Sequence, residues 1–167
     1  MSRPVSSYVA SLSLSAALFL GMTTASFAIS DQEFLDNAIH GDSSEVLLGQ
    51  LAANSASRSD VKSFGQMLVD DHSKSRVEAS GLVQQMGLVT TTAANSEAAE
   101  EWDTLKRLKG ERFDKEFVRY MIDDHKKDIA AFRREAASGR GPAKDFAARS
   151  LPTLQKHLEA AEALGGS

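Results

Sequence analysis

Three of the four histidines in this 167-residue chain fall on the apolar stripes of different predicted helices, and so does one glutamate. They are Glu45, His72, His125 and His157. An acid or an imidazole in a buried stripe costs free energy unless something pairs with it. Four such groups, one per helix, point to a polar site in the core of a four-helix bundle. Neutral imidazoles with a carboxylate form a mixed nitrogen and oxygen donor set, suited to Zn, Cu(II), Fe(II) or Mn without selecting among them. Asp71, Asp114 and Asp124 stand close enough in the pattern to add a ligand or to orient a histidine from behind. A buried Glu–His network without metal, holding the helices in register, uses the same residues and stays open.

The elements that must carry these groups follow from periodicity and punctuation. Leucine, alanine, lysine and glutamate are abundant and β-branched runs are few, so the chain reads as all-helical. A first helix is expected over Asp31 to Ser55 and a second over Ser59 to Met86. After a polar stretch, a short helix spans Glu97 to Leu108, ended by Gly110. A third long helix covers Glu111 to Ala137, Gly139-Arg140-Gly141-Pro142 makes a tight turn, and a fourth covers Ala143 to Leu164 with a kink at Pro152. Helical residues advance by about 100° each. This puts Glu45 with Phe34, Ala38, Gly49 and Ala52, and His72 with Phe64, Leu68, Ala79 and Val83. Asp71 lies at the edge of its stripe, and His40 is read as a surface residue. Within each hairpin the two polar groups stand about 13 to 16 residues from the turn, which levels them to within a few ångströms at about 1.5 Å per residue. The stretch between the second and third long helices is long enough to cross the bundle, as in ferritin-like folds. Asp42-Ser43-Ser44-Glu45 also has capping-box spacing, with Asp42 as a helix N-cap behind Gly41 and Glu45 as a local cap.

Residues 1–28 have the layout of an export signal: Arg3, a mostly apolar run from Tyr8 to Met22, and small residues in Ser26-Phe27-Ala28. Cleavage after about Ala28 leaves one domain over 29–167 and a periplasmic location, with no stable membrane span afterwards. There is no cysteine, which removes disulfides, thiolate ligands and cysteine nucleophiles. A net charge of −4 argues against nucleic acid as a partner. No phosphate loop or nucleophile elbow is present.

The segments Glu45-Val46-Leu47-Leu48-Gly49-Gln50-Leu51-Ala52, Val69-Asp70-Asp71-His72, Gly110-Glu111-Arg112-Phe113-Asp114 and Leu151-Pro152-Thr153-Leu154-Gln155-Lys156-His157-Leu158 resemble the bacterial family catalogued as domain of unknown function 4142. The resemblance runs from about Gln32 to Leu164. It implies a ferritin-like bundle, export, and family positions at Glu45, Asp71-His72, Phe113-Asp114, His125 and His157, but no activity. The resulting expectation is an exported ferritin-like bundle that binds a transition metal (Fe, Zn, Cu or Mn) in its core and serves envelope metal handling or stress protection. The alternative is a metal-free structural or interaction module. A ferroxidase-like or peroxide-consuming enzyme is the least favoured, since di-iron bundles need Glu-x-x-His. Here Val69, Ile122 and Leu154 stand three residues before the histidines.

Overall fold

A computed structural model describes the backbone of residues 20–166 and the side chains from Asp31. The order is α1 (Leu20–Ser55), α2 (Ser59–Gln85), α3 (Ser96–Leu105), α4 (Glu111–Ser138) and α5 (Gly141–Gly165). α1 packs along α2 and α4 along α5, so two antiparallel hairpins face one another, joined by a crossover that carries the short α3. This is an all-α four-helix bundle of the ferritin-like layout. Among the described residues no helix is long and apolar enough to cross a membrane. The leader expected over 1–28 lies mostly outside the described residues. Its part from Leu20 on is helical backbone continuous with α1, so that helix begins eleven residues before the expected Asp31.

The ends of the elements have local causes. Gly87, with φ +72°, closes α2, and the Leu88 amide bonds back to the Val83 carbonyl. Asn95 caps α3 by accepting from the Ala98 amide. Gly141 and Pro142 start α5. Pro152, expected to interrupt α5, sits inside one unbroken helix. Trp102 packs α3 onto the bundle, with the Lys106 ammonium 3.8 Å above its ring.

α1 and α2 touch through a pair of glycines. A Cβ at Gly49 would lie 2.7 Å from the Gly65 carbonyl oxygen, and one at Gly65 would lie 2.7 Å from that of Gly49. Only hydrogen fits on either side, so the helices meet backbone to backbone there. In an antiparallel pair this crossing fixes the register: seven residues back from Gly49 is Asp42, and seven on from Gly65 is His72.

The core is layered. One apolar cluster holds Leu48, Ala52, Phe64, Leu68, Phe113, Phe117, Met121 and Ala161 among others; a second holds Leu35, Ile39, Ala79, Val83, Ile129, Phe132, Phe146 and Leu154. Along every long helix a polar break separates the two clusters: Asp42 to Glu45 on α1, His72 on α2, His125 on α4 and His157 on α5. All of these are buried.

Candidate metal centre

Each long helix delivers one of the four groups singled out from the sequence, and the fold brings all four into the polar layer. Glu45 is 1% exposed, His72 3%, His125 0% and His157 0%. The imidazole rings form a near-equilateral triangle, with centroids 5.7 Å apart for His72–His125, 5.1 Å for His72–His157 and 5.4 Å for His125–His157. Three rings bound through one nitrogen each to a tetrahedral ion would have centroids about 5.2 Å apart, given metal–nitrogen bonds of roughly 2.0–2.1 Å. The observed triangle fits that spacing.

The second nitrogen of each ring is already taken. The Nδ1 of His72 lies 2.8 Å from Asp42 Oδ1, that of His125 lies 2.9 Å from the Met121 carbonyl, and the Nε2 of His157 lies 3.1 Å from Asp71 Oδ2. Carboxylates and carbonyls accept, so each of these nitrogens carries the proton and donates. The remaining nitrogens, His72 Nε2, His125 Nε2 and His157 Nδ1, are buried and have no hydrogen-bond partner. One donor atom from each ring lies within 4.8 Å of the others. Buried polar atoms without partners are rare and costly, and three facing one another mark a place for a shared cation. Outer partners that fix the tautomer are the usual support of metal-binding histidines.

Glu45 joins this triangle from α1. Its Oε1 lies 3.3 Å from His125 Nε2, which matches the separation of two ligands on a tetrahedral ion with bonds of about 2.0 Å. Its Oε2 lies 2.7 Å from His72 Nδ1, although that N–H is aimed at Asp42, so Glu45 receives charge contact rather than a directed hydrogen bond. Asp71 holds His157, and Asp124 faces Glu45 from α4. Asp114 is elsewhere. It accepts from the backbone amides of Ser57 (2.8 Å) and Arg58 (2.9 Å) and from the Ser57 hydroxyl, tying α4 to the α1–α2 turn.

Charge in the layer is set by competition between burial and partners. Burial opposes the imidazolium form of His72, but the Glu45 charge and the bonds to Asp42 outweigh it and hold His72 well above the ordinary 6.5. Burial pushes Glu45 up, yet the charge of the neighbouring His72 outweighs it, so Glu45 stays ionised below its usual range. Burial and the neighbouring His72 charge lower His125, and push His157 down to about 4. The metal-free site at neutral pH therefore holds one imidazolium, two neutral imidazoles and a carboxylate. A divalent ion would replace the proton on His72 Nε2 and complete the pairing.

Two acids in this neighbourhood escaped the sequence reading. Asp42, taken as a helix cap, is in mid-helix because α1 runs through Gly41 without a break, and its side chain turns to His72. Asp128 stands four residues after Asp124 on the inward side of α4, a spacing that is visible in the sequence. His40, read as a surface residue, is half-buried and binds the Ala93 carbonyl of the crossover at 2.6 Å. Lys127 lies outside, paired with Glu97 at 2.7 Å.

Fold and site together describe a four-helix bundle with an imidazole–carboxylate cluster in its middle layer. The chain belongs to the family described as "Domain of unknown function (DUF4142)", whose model matches residues 21–164. Two solved structures share the fold. One is described as a DUF305 fragment from Deinococcus radiodurans, with TM-score 0.73 and 15% identity over 81% of this chain and 95% of that one. The other is described as CopM in the Cu(II)-bound form, with TM-score 0.69, 15% identity and the same coverages. No curated protein matches the chain.

Proposed function

We propose that this protein is a metal-handling bundle of the cell envelope, holding one transition-metal ion on His72, His125 and His157 with Glu45 as the fourth ligand. The observation that carries the proposal is the triangle of three buried, partnerless ring nitrogens, each on a ring whose other nitrogen is held by a fixed acceptor. A set of imidazoles with one carboxylate binds divalent first-row ions in an order that peaks at Cu(II), and the similarly folded CopM is described in a Cu(II)-bound form. Cu(II) is the first ion to test, ahead of Zn(II), Fe(II) and Mn(II). Export to the periplasm rests on the character of residues 1–28, and a role in metal handling or stress protection rests on the site. The donor set is closed by four protein ligands, which favours holding an ion over turning over a substrate.

The metal-free reading is favoured by one observation, the His72 ring paired with both Asp42 and Glu45, which ties α1 to α2 without an ion. Elemental analysis separates the two. The purified protein, untagged, is incubated with Cu, Zn, Fe and Mn in turn and desalted, beside His72→Ala/His125→Ala. Near-stoichiometric retention of one metal, lost in the double variant, supports the site. Retention of none by a well-folded wild type overturns it and leaves the structural module.

A further inference from the structure

A cavity of about 250 Å³ opens between α2 and α5 and runs inward to the polar layer. Its outer wall is exposed and includes Lys74 and Glu78 of α2 with Arg149 of α5. Its inner wall is buried and includes Asp42, His72 and Leu154. His72 belongs both to this wall and to the imidazole triangle, so the two spaces share that ring as a boundary. The wall also holds both carboxylates that fix a tautomer in the centre, Asp42 on His72 and Asp71 on His157. Two other cavities, of about 470 Å³ beside Asp124 and about 460 Å³ beside Glu135, have none of the four proposed ligands in their walls.

The carboxylates of the cavity stand at increasing depth. The side chain of Glu78 is 48% exposed, that of Asp71 27% and that of Asp42 6%. The two cationic side chains of the wall are both engaged near the mouth. Arg149 reaches across from α5 to Glu78 at 2.6 Å, and the Lys74 ammonium lies 3.4 Å from Asp71. Space is sufficient for an ion that still carries water. A shell of six waters at about 30 Å³ each takes up roughly 180 Å³, which is less than the cavity offers.

We propose that this cavity is the route by which the ion reaches the imidazole centre, with Asp71 and then Asp42 receiving it on the way in. Each carboxylate can take over part of the water shell before His72 and its neighbours complete the exchange. The Arg149–Glu78 pair restrains entry, because it sets a positive charge at the mouth and occupies the outermost carboxylate. The route rests on the reading that the centre holds an ion, and its test tells failure of the one from failure of the other.

Chelator-stripped protein is mixed with Cu(II) at about 0.15 M salt, where charges further apart than about 8 Å are largely screened. Samples are quenched with excess chelator at timed intervals and desalted, and bound copper is measured. Ser150→Phe puts a ring into the cavity wall from α5 and should slow uptake more than about tenfold, with the final stoichiometry unchanged. Arg149→Glu, on the surface, should speed it by about threefold or more. Lys127→Glu, which makes the same charge change beside the Asp124 cavity, should leave the rate as it is. Wild-type rates in both Ser150→Phe and Arg149→Glu overturn the route while leaving the centre standing. Acceleration by Lys127→Glu instead of Arg149→Glu places entry on the α3 side and overturns it as well. Should Ser150→Phe fail to fold, the two surface variants decide between them. A wild type that retains no copper at long times removes the centre and the route together.

Discussion

His157 sets the acid response of the metal-free protein in a way that can be isolated. Its folded-state pKa is pushed down to about 4 by burial and by the neighbouring His72 charge, against about 6.5 in the unfolded chain. A depressed value means the folded state holds the proton less well than the unfolded state. The stability that neutral His157 contributes is therefore complete above pH 6.5, declines as the unfolded chain begins to protonate, and is lost by about pH 4. A difference of about 2.5 units at 1.36 kcal/mol each is about 3 kcal/mol, or roughly 10 °C in Tm for a domain of this size. Other groups run the opposite way. Burial and the Glu45 charge raise Asp124 to about 7 and Asp128 well above its ordinary value, so their contribution is greatest at low pH and falls as pH rises. The raw stability curve sums both trends, and the informative quantity is the difference between wild type and His157→Leu. Leucine keeps the apolar volume, and the abandoned partner Asp71 is 27% exposed and can turn to water. Urea unfolding of chelator-treated proteins at intervals from pH 7 to pH 4 should show wild type losing about 3 kcal/mol more than the variant. Parallel curves across that window would refute the assignment of a neutral, buried His157.

Other expectations are more direct. Gly65→Val must push its Cβ out of contact with the Gly49 carbonyl and the Ala53 amide, costing about 2–3 kcal/mol in chemical denaturation and loosening metal retention through the lost register of Asp42 and His72. Gly81→Ala, on the same helix but with nothing within 4 Å of the new carbon, should be neutral or stabilising by about 0.5–1 kcal/mol. Asp114→Ala strips acceptors from the Ser57 and Arg58 amides and should cost about 2 kcal/mol while leaving metal stoichiometry unchanged; a lost metal would contradict its placement at the hairpin turn. Metal uptake near pH 7 should release about one proton, from His72, measurable as a buffer-dependent heat in calorimetry.

The sequence made the four polar groups legible because helical period and distance from each turn are local quantities. One residue per stripe, levelled within its hairpin, was enough to anticipate Glu45, His72, His125 and His157 in one layer. What it hid were facts that depend on neighbours from other helices. Asp114 lies on the inward stripe of α4 like His125, but three turns away it faces the α1–α2 turn, and only packing shows that. Asp42 carried a false cap signal, because glycine before an acid reads as a helix start, while the hydrogen bond to His72 thirty residues on has no local trace. His40 looked exposed because the crossover that covers it has no periodicity to predict its path. Asp128 was within reach, four residues from Asp124 on the same inward face.

The layering has a consequence for when the proposed centre could acquire an ion. No hairpin supplies more than two of the four proposed ligands, and the last of them stands on the last helix. An unfolded or half-made chain therefore offers scattered single histidines, each no better than the imidazoles of any other protein. The proposed site is complete only once both hairpins have docked, so the choice of ion would fall to a finished cavity with fixed distances. On that proposal, whatever metals surround the chain while it is being made or moved leave little imprint on what it would finally carry. Selection belongs to the compartment in which it folds.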